Sequence, residues 1–114
     1  MSPLRGLIGT VAYGVAEFYR GPVGKHTFES EFSLNGVTAL PRVDIIMAYE
    51  NMDGAIIDAA AAAGAKGVVI AGVGNGNLTA PAVKALAAQA AKGVVCVRST
   101  RVATGIVGRN VELD

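Results

Sequence analysis

Gly67-Val-Val-Ile-Ala-Gly72-Val-Gly-Asn-Gly-Asn77 is the stretch on which the fold turns. Gly67–Ala71 is a short apolar run rich in β-branched residues, which predicts a buried strand. Glycines then alternate with Asn75 and Asn77. Glycine admits φ > 0 and lets another group approach the backbone closely, and an asparagine amide both donates and accepts hydrogen bonds. Thr79 follows as a helix N-cap, with Pro81 in the first turn, where its missing N–H costs little. Val83, Leu86, Ala87 and Ala90 recur at helical spacing on one face, with Lys84 and Gln89 pointing elsewhere. A strand, a tight turn and a helix form the place where open α/β sheets receive small polar ligands. A tight turn with no ligand would use the same residues, so the stretch marks a place and leaves the chemistry open.

Upstream, Val43–Ala48 is apolar except for Asp44, as a strand covered on both faces would be. Asn51 or Asp53 can cap a helix running through Ala55, Ile56, Ala59 and Ala63, which Gly64 stops. Downstream, Gly93 ends the second helix and Val94–Val97 is a third strand. The order β-α-β-α-β with short links predicts a parallel sheet with right-handed crossovers. Leu7–Tyr19 reads as two short strands in a hairpin with Gly14 at the turn. Arg20–Arg42 is irregular, and Asn35-Gly36 within it suits a tight turn. The expected fold is α/β: a small Rossmann-like parallel sheet of three or more strands flanked by helices, after an N-terminal β-hairpin. The expected division is a hairpin and connector over residues 1–42 and a β-α-β-α-β domain, incomplete, over 43–114. Three strands and two helices leave strand edges and apolar surface uncovered, as in a fragment or a chain completed by a partner.

The chain has 114 residues, about half of them apolar, which suits one small domain with a core of Val, Ile, Leu and Ala. A net charge of +1 without a basic cluster argues against nucleic acid or an anionic membrane as partner. Asp58 and Lys66 interrupt the longest apolar tract, a poor membrane-spanning helix. Residues 1–20 lack the basic start and apolar run of a signal peptide, although a precursor can have lost one. One cysteine, Cys96, excludes an internal disulfide and leaves the compartment open between cytoplasm and periplasm.

The alternating glycines depart from the G-x-G-x-x-G dinucleotide fingerprint, and Arg98 stands where an acidic residue would end the next strand. No cofactor is expected. His26, the only histidine, sits in the irregular connector and reads as solvated; no zinc-like ligand cluster surrounds it. Cys96, inside a predicted strand, reads as a small core residue. Ser99, Thr100 and Arg101 follow the third strand at the same sheet end as Asn75 and Asn77. They can line one crevice with those asparagines, or anchor the chain by ordinary hydrogen bonds. Glu112, on the residues alone, is a solvated terminal charge.

Gly72-Val-Gly-Asn-Gly-Asn77-Leu78, then Val97-Arg-Ser-Thr-Arg-Val102 and Thr104-Gly105, closely resemble the C-terminal domain of bacterial L-asparaginases in order and spacing. Ser2-Pro3 with Gly6-Leu-Ile-Gly9, and Lys25-His-Thr27, resemble the segment entering that domain; Leu40-Pro-Arg-Val43 resembles the start of its first strand. The resemblance covers essentially the whole chain. Ala103 stands where the family often has proline.

The resemblance implies an amidohydrolase that converts asparagine, and often glutamine, to the acid and ammonia. It implies that the threonine nucleophile, with a second threonine, an aspartate and a lysine, belongs to a larger N-terminal domain, so no catalytic residue is expected in this chain. It also implies that the family's last strand and helix would follow Asp114. In type II members the active site forms between two subunits, and the C-terminal domain of one lends residues to the substrate site of the other. By motif, Asn77 and Glu112 are then substrate contacts, Glu112 meeting the α-ammonium group through a charge-assisted hydrogen bond. Asn75, Ser99, Thr100 and Arg101 become possible site-lining residues. The partners implied are asparagine or glutamine and either a second subunit or an N-terminal asparaginase domain. The alternative is a non-catalytic module that binds a small ligand or another subunit.

Overall fold

The structure, a computed structural model, describes residues 7–21, 24–103 and 107–108. The chain divides into two compact units, Met1–Ala39 and Leu40–Asp114.

In the first unit, β1 (Gly9–Ala12) and β2 (Val15–Phe18) pair antiparallel, Ala12 opposite Val15. Tyr13 (φ 51°) and Gly14 (φ 79°) form the two-residue turn. Two consecutive positive φ values are what a type I′ hairpin needs to match the strand twist. The Thr10 and Tyr19 hydroxyls meet at 2.8 Å across the pair. Beyond it lie a single 3₁₀ turn, Thr27–Glu29, and a turn closed by the Val37 N–H on the Leu34 carbonyl, with Gly36 at φ 78°. No described residue of this unit is buried.

The second unit is the expected β-α-β-α-β run: β3 (Val43–Met47), α1 (Ala55–Ala62), β4 (Gly67–Gly72), α2 (Ala80–Ala91) and β5 (Val95–Thr100). The three strands are parallel, in the order β3-β4-β5. Because each crossover joins neighbouring strands with the same hand, both helices fall on one face of the sheet. Under them lies the core: Ile46, Ile57, Val68, Ile70 and Leu86, with Met52 and alanines filling the gaps.

The opposite face is open along β3 and much of β5, and there the expectation of strands covered on both sides fails. The register sets Val43, Gly67 and Val95 abreast, then Ile45, Val69 and Val97. Ile45 is 73% exposed and Val95 65%. Side chains alternate across a pleated strand, and no described helix of this unit packs on this side.

The helices also depart from expectation in detail. α1 buries Ile57 and Ala60, while Ile56 faces outward. Its N-cap is Gly54, pressed so near α2 that a Cβ there would stand 2.6 Å from the Ala85 Cβ. Asp53 accepts the Ala55 N–H at 3.0 Å instead of acting as the cap itself. Thr79 does cap α2, accepting the Ala82 N–H, and its hydroxyl donates to the Met52 carbonyl. Gln89 was expected to point away from the apolar face but is buried, its amide donating to Asp58 at 2.6 Å. It faces α1, a neighbour that a single-helix wheel does not reveal.

Candidate functional site

After β4 the backbone doubles back. Val73 and Asn77 exchange both backbone hydrogen bonds, at 2.9 and 2.7 Å, and push Gly74-Asn75-Gly76 out as a small loop. Each glycine has its own reason. Gly74 and Gly76 hold φ of 56° and 86°. A Cβ on Gly72 would stand 2.3 Å from the Gly76 carbonyl carbon, and one on Gly76 would stand 2.9 Å from the Ser99 carbonyl oxygen. The alternation that departs from a dinucleotide fingerprint is therefore set by backbone packed on backbone at Gly72 and Gly76 and by positive φ at Gly74 and Gly76.

β5 is longer than the predicted third strand and runs through Thr100, so Arg98, Ser99 and Thr100 pair with Ile70, Ala71 and Gly72. Thr100 Oγ1 donates to the Gly74 carbonyl at 2.6 Å and accepts the Val102 N–H at 3.0 Å. The Arg101 N–H donates to the Gly72 carbonyl, and its Nη1 reaches the Ala48 carbonyl at 2.8 Å. These two residues anchor the turn to β5 and to the end of β3. Ser99 shares its face with Met47 and Ala71. Asn75 turns towards the segment beyond β5: its Oδ1 accepts the Gly108 N–H at 2.7 Å and its Nδ2 lies 3.4 Å from the Gly108 carbonyl. Asn77 is exposed, and its side-chain amide makes no hydrogen bond among the described residues. Glu112 lies outside the described residues.

A crevice of about 470 Å³ opens at the carboxyl ends of β3 and β4, with Tyr49, Asn51, Asn77, Thr79 and Arg101 on its walls. Asn77 also reaches a second, more apolar cavity of about 570 Å³, walled by Ile70, Val83, Leu86 and Cys96. The crevice includes Tyr49, Glu50 and Asn51, which the sequence reading passed over or used only as a helix cap. Open sheets bind ligands beyond the carboxyl ends of their strands, so the residues just after β3 belonged in that reading as much as those after β4. Asn51, at φ 57°, marks the sharp bend there.

Cys96 is half-buried against the Leu86 and Val94 carbonyls, and desolvation pushes its thiol pKa up, opposite to what a nucleophile needs. His26 touches the Thr27 hydroxyl at 3.0 Å and stacks near Phe28, both exposed. Among the described residues no group of three His, Cys, Asp or Glu could hold a metal ion. The described residues thus place polar side chains, Asn51, Asn77, Thr79 and Arg101 among them, around one crevice.

Residues 42–113, more than half of the chain, match the glutaminase/asparaginase C-terminal domain. The chain belongs to that family. It is 44% identical over 105 residues to L-asparaginase 2 of Bacillus subtilis strain 168, covering 92% of this chain and 28% of that protein. It is 40% identical to a probable periplasmic L-asparaginase of Haemophilus influenzae, covering 99% of the chain and 32% of the relative. With the glutaminase-asparaginase of Pseudomonas fluorescens biotype A the identity is 39%, covering 94% of the chain and 30% of the relative. This asparaginase C-terminal domain thus spans about a third or less of the length of the curated relatives it matches.

Proposed function

We propose that this chain is the C-terminal part of an L-asparaginase-type amidohydrolase, which converts asparagine and water to aspartate and ammonia. Asn77 and Glu112 supply substrate contacts, and residues 43–114 contribute to a subunit interface; residues 1–42 are the hairpin and connector leading in. Nucleophilic and proton-transfer groups come from outside this chain. The observation that supports the reading is Asn77, an exposed residue on the wall of a crevice at the carboxyl ends of the parallel strands, whose side-chain amide makes no hydrogen bond among the described residues. A site for a small zwitterion needs such a neutral group to orient its polar ends, plus a carboxylate for the ammonium. The relatives named L-asparaginase and glutaminase-asparaginase make asparagine or glutamine the substrate to test first.

The test is made in the complete enzyme that carries this chain. A hydrogen bond to a charged group contributes roughly 1.5–3 kcal/mol, so Glu112→Gln should lower kcat/KM for asparagine about ten- to a hundredfold. Succinamic acid, which lacks the α-amino group, should lose much less. Asn77→Ala should act in the same direction with smaller size, and Lys84→Ala, on the exposed side of α2, should do little. Full activity of the Glu112→Gln enzyme, or equal losses with both substrates, sinks the assignment.

A second reading, a subunit-interaction module without a substrate role, is favoured by the open sheet face around Ile45, Val95 and Val97. It predicts no change in substrate discrimination on altering Asn77, and assembly defects on altering Ile45.

A further inference from the structure

Two Asn-Gly pairs occur in the chain, Asn35-Gly36 and Asn75-Gly76. Asparagine is a chemically labile residue, and a following glycine exposes its side-chain amide to attack by the next peptide nitrogen, because no Cβ stands beside that nitrogen. The other described asparagines, Asn51 and Asn77, precede Met52 and Leu78, whose side chains hinder the same approach. The fold treats the two Asn-Gly pairs in opposite ways.

Asn35 is exposed, as is every residue from 31 to 40. Its main-chain N–H donates to Ser33 Oγ at 3.1 Å, and the Val37 N–H closes the turn on the Leu34 carbonyl at 3.0 Å. Neither the Asn35 side-chain amide nor the Gly36 N–H makes a hydrogen bond among the described residues. Nothing stands within 4 Å of where a Cβ on Gly36 would lie. Both reacting groups therefore meet water, and no described contact holds them apart. Asn75 is held instead. Its Oδ1 accepts the Gly108 N–H at 2.7 Å, and its Nδ2 lies 3.4 Å from the Gly108 carbonyl. Asn75 is half-buried and Gly76 buried, packed so closely that a Cβ on Gly76 would stand 2.9 Å from the Ser99 carbonyl oxygen. Turning the Asn75 amide carbon onto the Gly76 nitrogen breaks the contacts to Gly108, and base reaches that nitrogen poorly.

We propose that Asn35-Gly36 is a site of spontaneous covalent modification, deamidation through a cyclic imide, and that the fold shields Asn75-Gly76 from the same reaction. The Gly36 nitrogen gives its proton to hydroxide and attacks Asn35 Cγ. The new C–N bond closes the imide ring, the Cγ–Nδ2 bond breaks, and the amide nitrogen leaves as ammonia with a proton from water, which regenerates hydroxide. Water then adds to one of the two ring carbonyls. Opening at Cγ leaves aspartate at position 35. Opening at the main-chain carbonyl leaves isoaspartate, with the chain now running through the former side chain. Either product puts a carboxylate in place of a neutral amide and takes the formal net charge from +1 to neutral. Isoaspartate also lengthens the main chain inside the turn that joins Leu34 to Val37.

The experiment keeps the unsubstituted 114-residue chain at mildly alkaline pH, in buffer or in concentrated urea. Digestion and peptide mapping by mass spectrometry then follow the amide-to-acid change at each asparagine separately. In buffer, Asn35 should convert at least about tenfold faster than Asn75, since each hydrogen bond that must open first slows the reaction about fivefold. In urea the two pairs should convert at rates within about twofold of each other, because only folding distinguishes them. Peptides covering position 35 should contain isoaspartate as well as aspartate, whereas direct hydrolysis of the side chain gives aspartate alone. Equal rates at Asn35 and Asn75 in buffer would overturn the shielding. An Asn35 that keeps its amide in buffer while converting in urea would overturn the exposed site, and aspartate without isoaspartate would overturn the cyclic imide.

Discussion

Gly76 cannot be exchanged for any residue with a side chain without moving backbone. Its φ of 86° and the Ser99 carbonyl 2.9 Å from any Cβ impose two separate penalties, whereas Gly74, with open space around it, carries only the first. A left-handed residue other than glycine costs roughly 1–2 kcal/mol. Gly74→Ala should therefore lower stability by about that amount, and Gly76→Ala by clearly more, in urea unfolding of the same chain. Equal midpoints would mean that the turn relaxes freely. The need for glycine was legible in the sequence, since only glycine serves both conditions; which glycine answers which need was not, because Ser99 and Arg98 meet Gly76 only in the folded sheet. Gln89 shows the converse. Its polar character placed it on the outside, and only Asp58 on the neighbouring helix gives it a reason to be buried. Cys96 was readable as a core residue, and its raised thiol pKa has a simple check. Alkylation at mildly alkaline pH should be slow in the folded chain and speed up markedly on adding denaturant; equal rates would show the thiol to be freely solvated.

Among the elements, the strands carried the clearest sequence signal and the most misleading one. Their existence and order followed from apolar runs separated by helical spacing, and α2 followed from Thr79 and Pro81. What the runs did not reveal is that one side of the sheet is open along β3 and much of β5, since a continuous apolar strand looks the same whether one or two layers cover it. The two faces should answer differently to truncation. Ile70→Ala, at a residue 1% exposed, should cost about 2–5 kcal/mol in this chain. Ile45→Ala, 73% exposed on the neighbouring strand, should cost under about 1 kcal/mol. Chemical denaturation of both variants decides it, and comparable losses would mean that the open face is packed in solution. At the opposite end of the sheet from the crevice, Arg42 makes a two-pronged pair with Asp44 and also holds the Ala63 carbonyl. The Arg42 hydrogen bond holds the Asp44 carboxyl below its ordinary range. A depressed acid pKa adds stability that is present above the unfolded value and lost as pH falls through the folded one. Asp44→Asn should accordingly flatten the acid limb of the stability profile while leaving its shape near neutrality unchanged. The pair is exposed, so the effect is small.

At the scale of the whole molecule, a single layer of helices on the described three-stranded sheet leaves Val43, Ile45, Met47, Val95 and Val97 exposed, the kind of apolar surface that marks an interface when it is contiguous. The 114-residue chain should enhance the fluorescence of an apolar dye strongly under native conditions, and Ile45→Glu with Val97→Glu should reduce it; a dim signal from the unsubstituted chain would show the face already covered. The same strand order constrains how the domain comes together. Among the described strands β4 alone has two partners, and each pairing must draw in an entire crossover before it yields anything. Formation should therefore start around β4 and spread outward. Val68→Ala should slow refolding, while Ile46→Val in β3 and Cys96→Ala in β5 should mainly hasten unfolding. Stopped-flow kinetics would show the reverse order if an edge strand, with its one helix, were the nucleus.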